Sequence, residues 1–228
     1  MAAAVDPTFV VIPVKERLDL TRSLMDHLTT QGGYEAVFVL DNGSCDGTAA
    51  WLRSRPVRTM IEPVDAAGLS IYGMWNLGVR LARARHPAGN VAILNNDIRT
   101  GPQFLARLAA GLHSRPDLWV VSPNYDHRPV RGVEYVRSTF KRGGLAGFAF
   151  MARGEVFDEI SFDEGFRWWY GDDDFIAQVE ARGGRAGIVG DATVEHVGGG
   201  AQTIRYTPPV LADIERDRRR MWAKWRHF

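Results

Sequence analysis

Three adjacent carboxylates, Asp172, Asp173 and Asp174, follow the aromatic triplet Trp168, Trp169 and Tyr170 in WWYGDDDFIAQVEARGG. Like charges crowded beside apolar rings raise the proton affinity of at least one carboxyl, which is what a general base near neutral pH requires. Acids at a helix start also complement the macrodipole, and that explains one or two of them without any chemistry. A second acidic position, Asp97 in ILNNDIRTG, leaves an apolar run beside Asn95 and Asn96. Hard oxygen donors there suit Mg²⁺ or Mn²⁺ completed by a ligand's phosphates, although the same residues alone make an ordinary turn. His196, in VEHVGGG, follows a strand pattern and precedes three glycines. A lone His is more often structural, but one that meets Asp97 across a crevice completes a metal site.

The stretch FVLDNGSCDGTAAWL, residues 38 to 52, holds the chain's single Cys among two Asp and two Gly. An EF-hand loop starting at Asp41 needs oxygen ligands where Gly43 and Cys45 stand and Glu where Leu52 stands, so calcium is excluded. A phosphatase-like Asp-x-Asp-Gly-Thr fails because Ser44 occupies the first Asp position. Cys45 is flanked by Ser44 and Asp46, and a neighbouring carboxylate opposes thiolate formation. What remains is a strand ending in Asp41, a turn with Gly43 and Gly47, and a helix starting near Asp46. Such a loop offers acceptors for ribose hydroxyls or base edges, or simply caps a helix with Asp and Ser.

Elements must hold these loops in place. TFVVIPV, AVFVL, VRTMIE and NVAILN read as strands, and LDLTRSLMDHL, TAAWLRS, SIYGMWNLGVRLARA and PQFLARLAAGL read as helices between them, the last with Pro102 early. This alternation predicts a mostly parallel sheet covered by helices on both faces, with ligands beyond the carboxyl ends of the strands. The second half is less regular: LWVVSP is a strand, 133 to 151 holds strands around glycines, and RAGIVGDATVEHVGGG reads as two short strands. The chain has 228 residues, 45% hydrophobic and 24% charged, with no repeat or linker, and is read as one domain. With 28 basic and 27 acidic side chains, net charge points to no polyanionic partner. One Cys excludes a disulfide framework, and MAAAVDPTFVVIPV is a first strand rather than a signal peptide. A soluble, cytoplasmic protein is expected.

These segments, in this order, resemble the inverting nucleotide-sugar glycosyltransferases of family 2, which have the GT-A fold. VVIPVKERLDLTRSLMDHL is similar to the family's first strand and helix. VFVLDNGSCDGTAAWL is similar to its Asp-Asn-x-Ser-x-Asp-Gly-Thr nucleotide-binding turn, AAGLSIYGMWNLGVRLA to the Gly/Asn helix before the metal strand, and ILNNDI to the Asp-x-Asp motif. GFAFMARGEVFDEISFDEGFRWWYGDDDFIAQVEARGG resembles the acceptor-side segment ending in the catalytic acid motif. The resemblance covers about residues 8 to 200. It implies a Rossmann-like nucleotide half (about 1–100), a smaller acceptor-side β/α region (101–200) and a C-terminal helix (208–228).

By the resemblance, Pro13, Val14 and Arg17 border the nucleotide, Asp41 contacts its base or ribose, and Asn42, Ser44 and Asp46 shape that turn. Asn76 and Asn96 join the donor pocket. Asp97 ligates a divalent metal, Mn²⁺ or Mg²⁺, bridging the sugar donor's phosphates, with His196 as a further ligand. Asp172 is the first choice for the base and Asp173 the second, while Gly147, Trp168, Trp169 and Tyr170 line the donor and acceptor pocket. A flexible VGGGAQTIRY closes over the donor, with Arg205 toward the phosphates. Asn95 replaces the first Asp of the metal motif, PVKER replaces Pro-Thr-Tyr-Asn-Arg, and Gly171 stands at the family's Glu. A sugar-phosphate nucleotidyltransferase would show a glycine-rich basic loop after its first strand, and PVKERLDL is not one. A non-catalytic sugar-nucleotide or glycan-binding module is the other alternative. As acceptor, the resemblance admits a glycan, a lipid-linked glycan, a protein or a nucleic acid.

The tail VLADIERDRRRMWAKWRHF is read as a helix with Leu211, Ile214, Met221, Trp222, Trp225 and Phe228 on one rough side and arginines elsewhere. A docked terminal helix with a solvated face is the leading reading. An interfacial membrane helix or a polyanion contact through 211–228 are its alternatives.

Overall fold

The computed structural model describes residues 6–55, 60–136, 144–197 and 206–226. β1 (Thr8–Val14) is buried along its whole length, as its run of apolar residues requires of a strand covered on both faces. It pairs in parallel with β2 (Ala36–Asp41) and β4 (Asn90–Leu94), and β2 pairs in parallel with β3 (Ile61–Asp65). On the other side of β4 the sheet continues with β8 (Ala149–Ala152) and β6 (Leu118–Asn124), each antiparallel to its predecessor, and then β9 (Arg185–His196), parallel to β6. β5 (Ile98–Thr100) and β7 (Val133–Val136) run antiparallel to β9. The order is β3-β2-β1-β4-β8-β6-β9-β5, with β7 also on β9. Since β1 to β4, β6 and β9 share one direction, the sheet is mostly parallel as expected.

Period-two alternation sends Phe9 and Val11 of β1 into one core and Val10 and Ile12 into the other. The second core is closed by α1 (Leu18–Gln31) through Leu24, Met25 and Leu28, and by α4 (Phe104–Leu112). α2 (Thr48–Arg53) adds Leu52 to it. The first core is closed by α3 (Ile71–Arg85), α5 (Gly171–Ala181) and α6 (Pro208–Trp225). α3 crosses β1 so closely that a Cβ at Gly78 would overlap the side chain of Val11. Phe150, Phe162 and Phe175, all fully buried, pack ring to ring and fix α5 on the sheet.

Several boundaries differ from the sequence reading. β9 is one strand of 12 residues rather than two, and its register against β6 shifts between Pro123 and Asn124, which face Val189 and Thr193. Pro102 lies ahead of α4, whose cap is Gln103 in the left-handed region. β3 starts at Ile61, and residues 57–59 of VRTMIE lie outside the described residues.

Candidate functional site

Three loops meet beyond the carboxyl ends of β1, β2 and β4. Asp41 closes β2 opposite Val14 and Asp65. Its Oδ1 accepts the Ser44 amide at 3.1 Å, while Gly43 and Gly47 take the positive φ that the turn demands. The turn is sewn to the loop after β1. Ser44 Oγ accepts the Glu16 amide at 2.8 Å, and Glu16 Oε1 accepts the Cys45 amide at 3.0 Å. Asp46 Oδ2 accepts the Leu18 amide at 2.9 Å, and Oδ1 takes the Thr48 amide and hydroxyl. Burial opposes the charge of Asp46, but these hydrogen bonds outweigh it and hold the carboxyl below its ordinary range. Glu16 and Arg17 both sit in the left-handed region, and Arg17 pairs with Asp19. Asn42 ties the turn to the next loop, accepting from Gly68 N at 3.0 Å and donating to Leu69 O at 2.9 Å. Asn42, Ser44 and Asp46 thus build the rim, and Asp41 spends one oxygen on it.

The carboxylates belong to a separate element. α5 starts after Tyr170, a left-handed residue (φ 70), and carries Asp172 and Asp173 in its first turn. A Cβ on Gly147 would overlap Asp172 Oδ2, so this carboxyl rests directly on the Gly147 backbone at the start of β8. Burial pushes the Asp172 carboxyl up, and burial together with the Asp172 charge pushes Asp173 to about 7. Asp174 turns the other way. It is fully buried and accepts from Trp225 Nε1 at 2.7 Å, Lys224 Nζ at 2.7 Å and Gln178 Nε2 at 2.8 Å. The triplet divides into a pair raised by burial and one scaffold acid.

The aromatic wall expected beside these acids divides too. Trp168 donates its indole N–H to Asp213, Tyr170 packs on the core, and Trp169 is 42% exposed.

Asp97 and His196 come together although they are far apart in the chain: Nε2 lies 3.1 Å from Asp97 Oδ1. The pairing of β5 with β9 sets this contact, with Ile98 opposite His196 and the Val197 amide on Asp97 O at 2.8 Å. Phe148 stacks on the imidazole with centroids 4.1 Å apart. Asn96 donates to Thr21 Oγ1 at 3.0 Å, and the Asn95 amide binds Phe148 O at 2.8 Å. Among the described residues no group of three His, Cys, Asp or Glu side chains surrounds a metal position. The pair fits a cation completed by a ligand's phosphates and water, with a hard oxygen and an imidazole as the protein's share.

The chain matches solved structures of S. aureus TarS 1-349 (TM-score 0.65, 16% identity, 84% of this chain and 60% of that one). It also matches GalNAc-T7 with UDP, GalNAc and Mn²⁺ (0.71, 13%, 94% and 48%). A third match is the mannosyltransferase PcManGT from Pyrobaculum calidifontis with GDP-Man and Mn²⁺ (0.68, 15%, 96% and 64%). The fold is that of the GT-A glycosyltransferases. The chain spans 48 to 64% of the length of these three structures. No family model and no curated protein matches the chain.

Within this GT-A fold, some residues escaped sequence reasoning. Tyr72 of α3 is buried, accepts the Gly171 amide at 3.0 Å, and fills the space where a Cβ on Gly171 would go. Burial, then the Asp172 charge, raises the Tyr72 phenol well above its ordinary value, so it stays neutral. Asn76, which the resemblance put in the donor pocket, binds Phe162 O and Glu164 Oε1 through its amide N–H groups and accepts the Phe162 amide, bracing the approach to α5. The helical periodicity of Tyr72 signalled only a place on α3. The segment 198–205, with Arg205, and Phe228 lie outside the described residues. α6 docks through buried Met221 and Asp217, while Leu211 and Trp222 of its expected apolar side are about half exposed, at 52% and 50%. Among the described residues no helix is long and apolar enough to cross a membrane.

Proposed function

We propose that the chain is a single-domain inverting glycosyltransferase of the family 2 type, moving a sugar from a nucleoside-diphosphate donor to an acceptor hydroxyl. The observation that carries this reading is the dipeptide Gly147–Phe148, with the Asp172 carboxyl over the first residue and the His196 imidazole stacked on the second. A base and a cation-ligand pair are thereby held on adjacent residues of one loop. Asp41 lies on β2, two strand spacings from β4, or about 10 Å, the scale of a nucleoside diphosphate laid along the sheet edge. GalNAc-T7 with UDP and Mn²⁺, and PcManGT with GDP-Man and Mn²⁺, support the donor class and the cation.

Asp172 takes the acceptor proton as the acceptor oxygen bonds to the anomeric carbon. The electron pair of the breaking C–O bond leaves with the nucleoside diphosphate. A single attack from the face opposite the leaving group inverts the centre, and a positioned base contributes roughly 10² to 10⁴ in rate. Asp97 and His196 would hold a divalent cation, which when bound offsets the charge of the leaving diphosphate.

UDP and GDP, each with Mn²⁺, are screened for a rise in melting temperature and for transfer from their sugar donors. Asp172→Asn is expected to keep the nucleotide-dependent rise and lose about 10²-fold or more of transfer. Full transfer by this variant removes Asp172 as the base. No rise with any nucleoside diphosphate overturns the reading.

A further inference from the structure

The chemistry proposed above uses nothing of α6, yet this helix carries a fully buried carboxylate that is seated on backbone amides of another segment. Asp217 is fully buried, and its Oδ2 accepts three successive backbone N–H groups: Arg167 at 3.0 Å, Trp168 at 2.8 Å and Trp169 at 3.2 Å. Consecutive amides converging on one point form an anion-binding nest, and here the anion is supplied by the chain itself. Burying a carboxylate costs several kcal/mol before compensation, so a residue that merely filled the helix face would be apolar.

The same helix grips the neighbouring chain at further points. One turn before Asp217, Asp213 accepts from Trp168 Nε1 at 3.3 Å and pairs with Arg167 at 3.2 Å. Toward its end, Arg220 lies over Gly165 and pairs with Asp163 at 2.8 Å, joined there by Lys224 at 3.1 Å. Lys224 and Trp225 then hold Asp174, inside α5. Contacts therefore fall before, on and after the segment Arg167–Tyr170, which runs directly into the first turn of α5. That turn carries the carboxylate pair.

We propose that Asp217 is a positioning residue: by gathering the amides of Arg167, Trp168 and Trp169 it sets the start of α5 and so places Asp172 over Gly147. The proposal rests on the glycosyl-transfer reading. A base displaced by about 1 Å loses about 10²-fold in rate even when binding is intact.

The test uses the full chain with Asp217→Ala and Asp217→Asn, the latter keeping the shape and one acceptor oxygen. Amide hydrogen exchange is read at residues 167–169 and on β1, β2 and β4, beside kcat, donor KM and the melting-temperature rise with UDP or GDP plus Mn²⁺. Asp217→Ala is expected to speed exchange at 167–169 at least about tenfold and leave the strands protected. Its kcat should fall at least about tenfold with donor KM and the nucleotide response unchanged, and Asp217→Asn should recover part of both. Unchanged exchange at those amides overturns the proposal, as does a fall in kcat matched by equal loss of nucleotide binding. If Asp217→Ala does not fold, Asp217→Asn decides: faster exchange with lower kcat supports it, and wild-type values for both overturn it. If the wild type transfers no sugar at all, the glycosyl-transfer reading fails and the placement of a base by Asp217 falls with it, whatever the exchange rates show.

Discussion

Two carboxyls in one buried first turn do not both ionise cheaply, and this governs the pH behaviour of Asp172 and Asp173. With Asp173 raised to about 7, the pair sheds its last proton near neutrality. Transfer is expected to rise with pH above the ordinary carboxylate range, because burial raises the Asp172 base, and the rise should persist in Asp173→Asn because its cause is burial rather than that neighbour. A pH–rate profile of both proteins checks this. The effect on stability has a fixed sign. Between an unfolded pKa of about 4 and a folded value near 7, the folded state binds more protons, so this group's contribution falls as pH rises through that window. The melting temperature of Asp173→Asn minus that of wild type should therefore grow from pH 5 to pH 8. Gly147→Ala tests the same geometry by size: its methyl would displace the Asp172 carboxyl, and transfer should drop about 10²-fold with the fold retained.

Elements, rather than single residues, decide which acid faces which neighbour. The parallel half was legible because β1, β2 and β4 are short apolar runs and α1 and α3 carry helical periodicity between them. β7 and β8 fall within 133 to 151, where strands were expected without bounds, and β5 was not legible, because a strand of three residues is defined by the partner it pairs with rather than by its own pattern. Asp97 and His196 were legible as types, and the three-residue β5 brings them into contact. Two of the partners of Asp174, Lys224 and Trp225, lie about fifty residues downstream, and no local signal in DDD separates a scaffold acid from a base. α5 is pinned by Phe175, fully buried among Phe150, Phe157 and Phe162. Phe175→Ala is expected to cost about 3–5 kcal/mol, measured by urea unfolding, because the rigid sheet behind it cannot close the cavity.

At the scale of the molecule, opposite pH dependences meet. Burial raises the Asp163 carboxyl, but its hydrogen bonds with Arg220 and Lys224 outweigh that and hold it below its ordinary value. Its contribution is complete above the unfolded pKa and is lost as pH falls through the lower folded one. Acid therefore loosens α6, and alkali sets the buried pair against itself. A stability optimum between about pH 4 and 7 is the expected outcome of melting curves across pH, with α6 tryptophan fluorescence changing first on the acid side. The glycine at 171 carries a different kind of consequence. The volume that a side chain would need there is taken by the ring of Tyr72, a hundred residues earlier in the chain. A glutamate at that position is blocked until Tyr72 shrinks, and shrinking Tyr72 first leaves a hole beneath the first turn of α5. The two positions are thus coupled: substitutions at 72 and 171 are expected to be strongly non-additive.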